Sequence, residues 1–140
     1  MGRINYLIIL LILAACVNRG EHIVKSGNTT IEREYFENGK IKYESSYKFG
    51  KLNGISRSWT KDGDIISNIE YKNGFLHGEW VTYYPSSKIK NSINYTNGKK
   101  NGKEIWYHQN GQQQSEVLYD NDIINSNVIR WDENGKQIIN

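Results

Sequence analysis

Tyr71-Lys72-Asn73-Gly74-Phe75-Leu76-His77-Gly78 is the stretch whose reading decides the fold. An interval of 24 residues separates it from Tyr47-Lys48-Phe49-Gly50-Lys51-Leu52-Asn53-Gly54 before it and from Tyr95-Thr96-Asn97-Gly98-Lys99-Lys100-Asn101-Gly102 after it. The same interval relates Tyr35, Trp59, Tyr83, Tyr107 and Trp131, and the turn glycines Gly39, Gly63, Gly111 and Gly135, with Ser87 in the missing slot. Several independent series sharing one period identify an internal repeat. Inside each unit the period is two: Ile65, Ser67, Ile69 and Tyr71 alternate with Ile66, Asn68 and Glu70, the pattern of a half-buried strand. Asn38-Gly39, Asp62-Gly63, Asn110-Gly111 and Asn134-Gly135 read as type I′ hairpin turns, since both central residues of that turn need positive φ. Pro85-Ser86-Ser87 departs from that pair, so its turn differs. The glycine pairs of the longer loops, such as Gly74 and Gly78, predict two special backbone positions with Leu76 tucked inward between them.

Each unit is therefore expected to be a β-hairpin. The expected fold is all-β, an elongated antiparallel β-meander of 24-residue hairpin repeats. About 4.5 repeats give nine or ten strands over residues 31–139, stacked so that neighbours bury what one hairpin leaves open. Composition agrees: the only alanines are Ala14 and Ala15, while the chain holds 10 Tyr, 4 Trp and 13 Gly against 1 Pro, which is poor helix material. One face is expected to carry the core: Tyr35, Ile41, Tyr47, Trp59, Ile65, Ile69, Tyr71, Val81, Tyr83 and their equivalents through Ile89, Ile93, Tyr95, Ile105, Tyr107, Val117, Tyr119 and Ile129 to Trp131.

The first residues read as an address. Arg3 precedes the apolar run Tyr6–Leu13, followed by Ala14, Ala15 and Cys16. A run that short falls well below the about 20 residues of a membrane-spanning helix, and basic start, apolar centre and small residues describe a secretory signal peptide. Leu13-Ala14-Ala15-Cys16 resembles the bacterial lipobox, which implies cleavage before Cys16 and a diacylglyceryl group on its sulfur. The expected organisation is a lipoprotein signal peptide at 1–15, the lipidated Cys16 with a polar tether to residue 30, and the repeat domain at 31–140. The expected location is the bacterial cell envelope, lipid-anchored to a membrane, at the outer membrane or cell surface in a Gram-negative host. With 1 Cys there is no disulfide within a chain and no Cys-based zinc site. A net charge of +3 is too small for a nucleic-acid footprint, so no nucleic-acid partner is expected.

Tyr-Phe-Glu-Asn-Gly-Lys-Ile-Lys at Tyr35–Lys42, followed by Tyr47–Gly54, resembles the bacterial variant of the MORN repeat. Tyr71–Gly78 matches it again, and Tyr95–Gly102 does so with Lys100 in place of leucine. The resemblance implies an elongated antiparallel sheet used for binding and brings no catalytic residues. Proteins built this way are similar to a family labelled as toxin–antitoxin antitoxins, many of them lipoproteins.

Chemistry-bearing sets are sparse. His22 lies in the tether, His77 fills the slot of Asn53, Asn101 and Asn125, and His108 ends a strand. His77 reads as a turn residue, because Asn and His tolerate left-handed backbone, and His108 reads as solvated. No nucleophile, base and orienting group stand out together, and no glycine loop has phosphate-loop spacing. The chain is expected not to be an enzyme and to need no cofactor or metal. The expected binding surface consists of aromatics opposite the core, Phe36, Trp80, Tyr84 and Trp106, with the basic stretch Lys99, Lys100 and Lys103. The leading functional class is presentation of a sheet surface to a protein or envelope partner. The alternative is an antitoxin or immunity protein capping a toxin, and a lower one is a glycan-binding module.

Overall fold

The computed structural model describes residues 21–139; the expected signal peptide and Cys16 lie outside them. The described residues form one antiparallel sheet of 13 strands. In chain order these are β1 (Glu21–Ser26), β2 (Thr29–Tyr35), β3 (Ile41–Lys48), β4 (Lys51–Leu52), β5 (Gly54–Trp59), β6 (Ile65–Lys72), β7 (Phe75–Tyr83), β8 (Ile89–Thr96), β9 (Lys99–Tyr107), β10 (Gln113–Asp120), β11 (Ile123–Ile124), β12 (Ile129–Trp131) and β13 (Gln137–Ile138). The strands succeed one another in space as in sequence, except that the two-residue strands β4 and β11 hang on β3 and β10. Eleven strands on the main path, about 4.8 Å apart, make a sheet roughly 48 Å long.

The meander is as expected; the turns are the reverse of the expectation. Lys72 pairs directly with Phe75, and Asn73 (φ 54) and Gly74 (φ 89) between them form the two-residue turn with two left-handed residues. Phe49-Gly50, Asn97-Gly98 and Asn121-Asp122 repeat it. At the opposite margin Phe36 N–H donates to Lys40 O and Gly39 N–H to Phe36 O, at 2.8 and 2.9 Å. That is a three-residue loop, a type I turn closed by a left-handed residue. Four further loops repeat both bonds, with Ser87 (φ 61) standing where the others have glycine. His77 is not among the positive-φ residues; it sits inside β7, so the left-handed slot is that of Asn73.

The expected single core face is also corrected. Directly opposed residues of antiparallel strands share a face, and successive residues alternate. One face, called the first, carries the row Ser56–Ile69–Trp80–Ile93–Glu104–Val117. The second carries Arg33–Glu44–Arg57–Asn68–Val81–Ser92–Ile105–Glu116–Ile129. A one-residue bulge in each repeat causes the split: Trp59 pairs Ile65 while Ser58 pairs Ser67, leaving Ile66 extra. Lys42, Lys90 and Gln114 are the equivalent extra residues. Ile65 therefore joins Trp59, Val81 and Tyr83 on the second face, while Ile69, Tyr71, Ile93 and Tyr95 stay on the first. Val81 and Val117, at 7% and 9% exposure, are the buried hydrophobic residues, and no second layer covers either face among the described residues.

Neighbouring repeats are tied at both margins of the sheet. At one, Gly74 N–H donates to Leu52 O, Gly98 N–H to Leu76 O and Asp122 N–H to Lys100 O. At the other, Asn38 and Asn110 side chains donate to Lys61 O and Glu133 O. Strand β1 corrects the assignment of residues 17–30 to a tether: residues 21–26 pair with β2 through the turn Gly27-Asn28. That turn falls two residues later than the 24-residue phase of Phe49-Gly50 and lacks its pattern, so periodicity did not mark it.

Candidate binding surface

Two rows of the first face build the candidate surface. The inner row brings Trp80 between Ile69 and Ile93. The adjoining row runs Tyr43–Ser58–Ser67–Thr82–Asn91–Trp106–Ser115, each residue opposite the next. Tyr43 and Trp106 stand out from this floor of short polar side chains, with 48% and 38% of their surfaces exposed. Trp80 packs on Tyr95 with ring centroids 6.1 Å apart and planes inclined by 33°, a contact worth about 1 kcal/mol beyond its buried area. Burial pushes the Tyr95 phenol above its ordinary pKa.

Glu104 organises the next repeat. It occupies the slot of Trp80, and Lys100 occupies the slot of Leu76. The carboxylate, in a residue only 7% exposed, accepts from Lys100 Nζ at 2.9 Å and from Trp106 Nε1 at 3.1 Å. Lys100 also lies 4.6 Å from the centroid of Tyr119. Burial pulls the ammonium down, and the hydrogen bond and charge of Glu104 more than reverse this, so the Lys100 pKa is raised. A fixed indole N–H holds the Trp106 ring in one orientation on the surface.

The expected site residues are only partly gathered. Trp80 and Trp106 do share a face, but that face also carries Ile69, Ile93 and Val117 instead of lying opposite them; the bulge explains the difference. Tyr84 and Phe36 begin the three-residue loops. The Tyr84 hydroxyl donates to Tyr107 O at 2.7 Å, tying one repeat to the next. His108 does the same one repeat later, its Nε2 lying 2.9 Å from Trp131 O, so it is not a free solvated group. The basic stretch disperses. Lys99 is exposed at the turn margin, Lys100 pairs with Glu104, and Lys103 pairs with Glu116 on the second face at 2.9 Å. Tyr43 and Glu104 were not singled out by sequence: the slot of Tyr43 holds Ser67, Asn91 and Ser115 in other repeats, which conceals it. The joint replacement of Trp80 and Leu76 by Glu104 and Lys100 was a legible signal.

A shallow cavity of about 260 Å³ adjoins Tyr43, lined by Ile23, Glu32, Glu34, Ser45 and Tyr47 among others. Burial, then the charge of Glu32, pushes the Tyr47 phenol up. Among the described residues no three His, Cys, Asp or Glu side chains stand close enough to hold a metal ion, and no helix is long and apolar enough to cross a membrane.

Residues 29–49, 76–97 and 100–121 match the MORN repeat variant. The chain is a MORN repeat variant protein. The MORN hairpins continue through the unmatched residues 50–75, where β5 and β6 pair with the same bulge. As a MORN protein the chain is a repeat-based binding module. No curated protein matches it at a significant level. Among solved structures, a chain in the crystal structure of accessory secretory protein 1, 2 and 3 in Streptococcus pneumoniae is 12% identical, with a TM-score of 0.28; the match covers 72% of this chain and 17% of that one.

Proposed function

We propose that this chain is an exported, lipid-anchored, non-enzymatic binding protein whose first face receives a protein or envelope partner. The observation that carries the reading is the uncovered face on which Trp106, held by Glu104, and Tyr43 stand exposed. Aromatic anchors of this kind concentrate binding energy at interfaces, and exposed apolar surface rimmed by polar groups marks interaction sites. The lipobox-like Leu13-Ala14-Ala15-Cys16 supports attachment to a membrane, since two or more acyl chains anchor stably where one is marginal.

Cross-linking capture in the native host, comparing the full chain with Tyr43→Ala/Trp106→Ala, tests the surface. The double variant should lose the captured species at least tenfold, while Lys72→Ala, exposed on the second face at the opposite margin, should retain it. Equal capture by both variants would remove the first face as the binding site. A captured toxin would make the chain an antitoxin, and retention on wall polysaccharide lost with the two aromatics would make it a glycan-binding module. Metabolic labelling with a fatty-acid analogue should tag the chain and fail in Cys16→Ser; a label that survives the substitution would refute the anchor.

A further inference from the structure

We propose that β1 pairs with β1 of a second copy, giving a two-fold dimer with one continuous antiparallel sheet. The two ends of the sheet are unequal. β13 has two residues, whereas β1 has six, all paired to β2 without a register shift. Among the described residues no strand pairs with the outer side of β1, which therefore offers an unbroken row of main-chain donors and acceptors. It carries no proline and no bulge, the devices that blunt natural edges, and Lys25 is its one basic residue of the protecting kind. Ile23 and Val24 are 53% and 40% exposed and point to opposite faces.

Strand direction selects the occupant. The main path has eleven strands, each antiparallel to the next, so the two end strands run the same way. A head-to-tail contact between copies would set β13 parallel to β1 and break the ladder. A two-fold axis perpendicular to the sheet instead sets β1 antiparallel to β1, and the assembly closes as a dimer. Such an axis passes between two copies of one residue. Placed at Ile23, it sets Ile23 against Ile23 and Val24 opposite His22. Placed at Val24, it sets Lys25 opposite Ile23, an unmatched pair. The Ile23 register is chosen because it sets the more exposed of the two apolar residues, 53% against 40% for Val24, against its own copy. The axis there also brings the two cavities beside Tyr43 next to each other, since Ile23 lines each.

A single strand pair makes a small interface, of the weak class, so the test reads proximity and register. In a full-length Cys16→Ser background, Ile23→Cys should form a disulfide-linked dimer on mild oxidation, because directly opposed Cβ atoms lie about 5 Å apart. Lys25→Cys should not, because its two copies are displaced by about 13 Å along the strands. Lys61→Cys, exposed at the far margin, reports random collision. Dimer in Ile23→Cys at least tenfold above both controls supports the proposal. Equal cross-linking in all three, or none in Ile23→Cys, overturns it. The readout does not use Trp106 or a partner, so its failure leaves the proposed binding face standing, and the converse.

Discussion

Gly78 has φ +93°, and a Cβ added there would run into the Glu70 carboxylate and come 3.1 Å from Glu70 Cβ. Gly39 has φ +79° with nothing within 4 Å of the same added atom. Both substitutions to alanine carry the left-handed penalty of about 1–2 kcal/mol; only Gly78 adds a collision between strands. Urea unfolding should therefore rank Gly78→Ala at least about 1 kcal/mol below Gly39→Ala, and equal midpoints would contradict the close approach. The ionised Glu116 carboxylate contributes to the stability of the fold. Hydrogen bonding from Lys103, opposed by burial and aided by Gln113, holds its carboxyl below the ordinary value of 4.5. A depressed folded pKa contributes stability above the ordinary value, and that contribution is lost as pH falls through the folded one. Glu116→Gln should thus cost less than about 1 kcal/mol at pH 7 for this half-exposed pair, and the difference from the parent should close as pH falls through the depressed pKa. A gap that persists below it would point to lost packing instead.

At the scale of the element, the two hairpin turns divide the labour. The two-residue turns need two left-handed residues and place Asn or Phe before Gly, or before Asp122 in the last of them; the three-residue loops need one, at the position of Gly39. Ser87 fills that position with φ 61. Ser87→Gly should stabilise by about 0.5 kcal/mol, the relief of left-handed strain less the added freedom of the unfolded chain; a lower melting temperature would show that the serine is held by something else. The repeat period, strand type and meander were legible because the aromatic slots recur in every unit and the glycine slots in most. The turn classes were not, because Asn-Gly or Asp-Gly appears in both kinds, and what separates them is where strand pairing resumes. The bulge was hidden for a plainer reason. Its extra residue is Lys42, Ile66, Lys90 or Gln114, which share no chemistry, so counting by twos carried Ile65 and Ile69 to one face when the backbone separates them. The pairing of Trp80 with Ile93 was lost by the same miscount, and with it half of the binding face.

For the whole molecule, stability is a sum over neighbours, since every strand touches only those beside it in the sheet. The best-buried residues, Val81, Asn91, Ser92, Glu104 and Val117, lie in β7 to β10. Residues 121–130 are exposed throughout, and β12 and β13 are short. Hydrogen exchange should therefore be slowest in β7 to β9 and fastest from residue 121 onward, graded outward from the middle. One uniform exchange rate across all strands would mean instead that the sheet opens as a single unit.

The ties that join residue to residue 23 positions on, such as Tyr84 to Tyr107, His108 to Trp131 and Asn110 to Glu133, make the protein a ruler. Each bond reaches one graduation and no further, so excising residues 60–83 in frame rejoins identical slots. The chain would then fold about 10 Å shorter, a change readable by small-angle scattering. Reach can be altered in whole steps while the chemistry of each step is kept, so a lineage can set how far such a sheet extends simply by copying or dropping a unit.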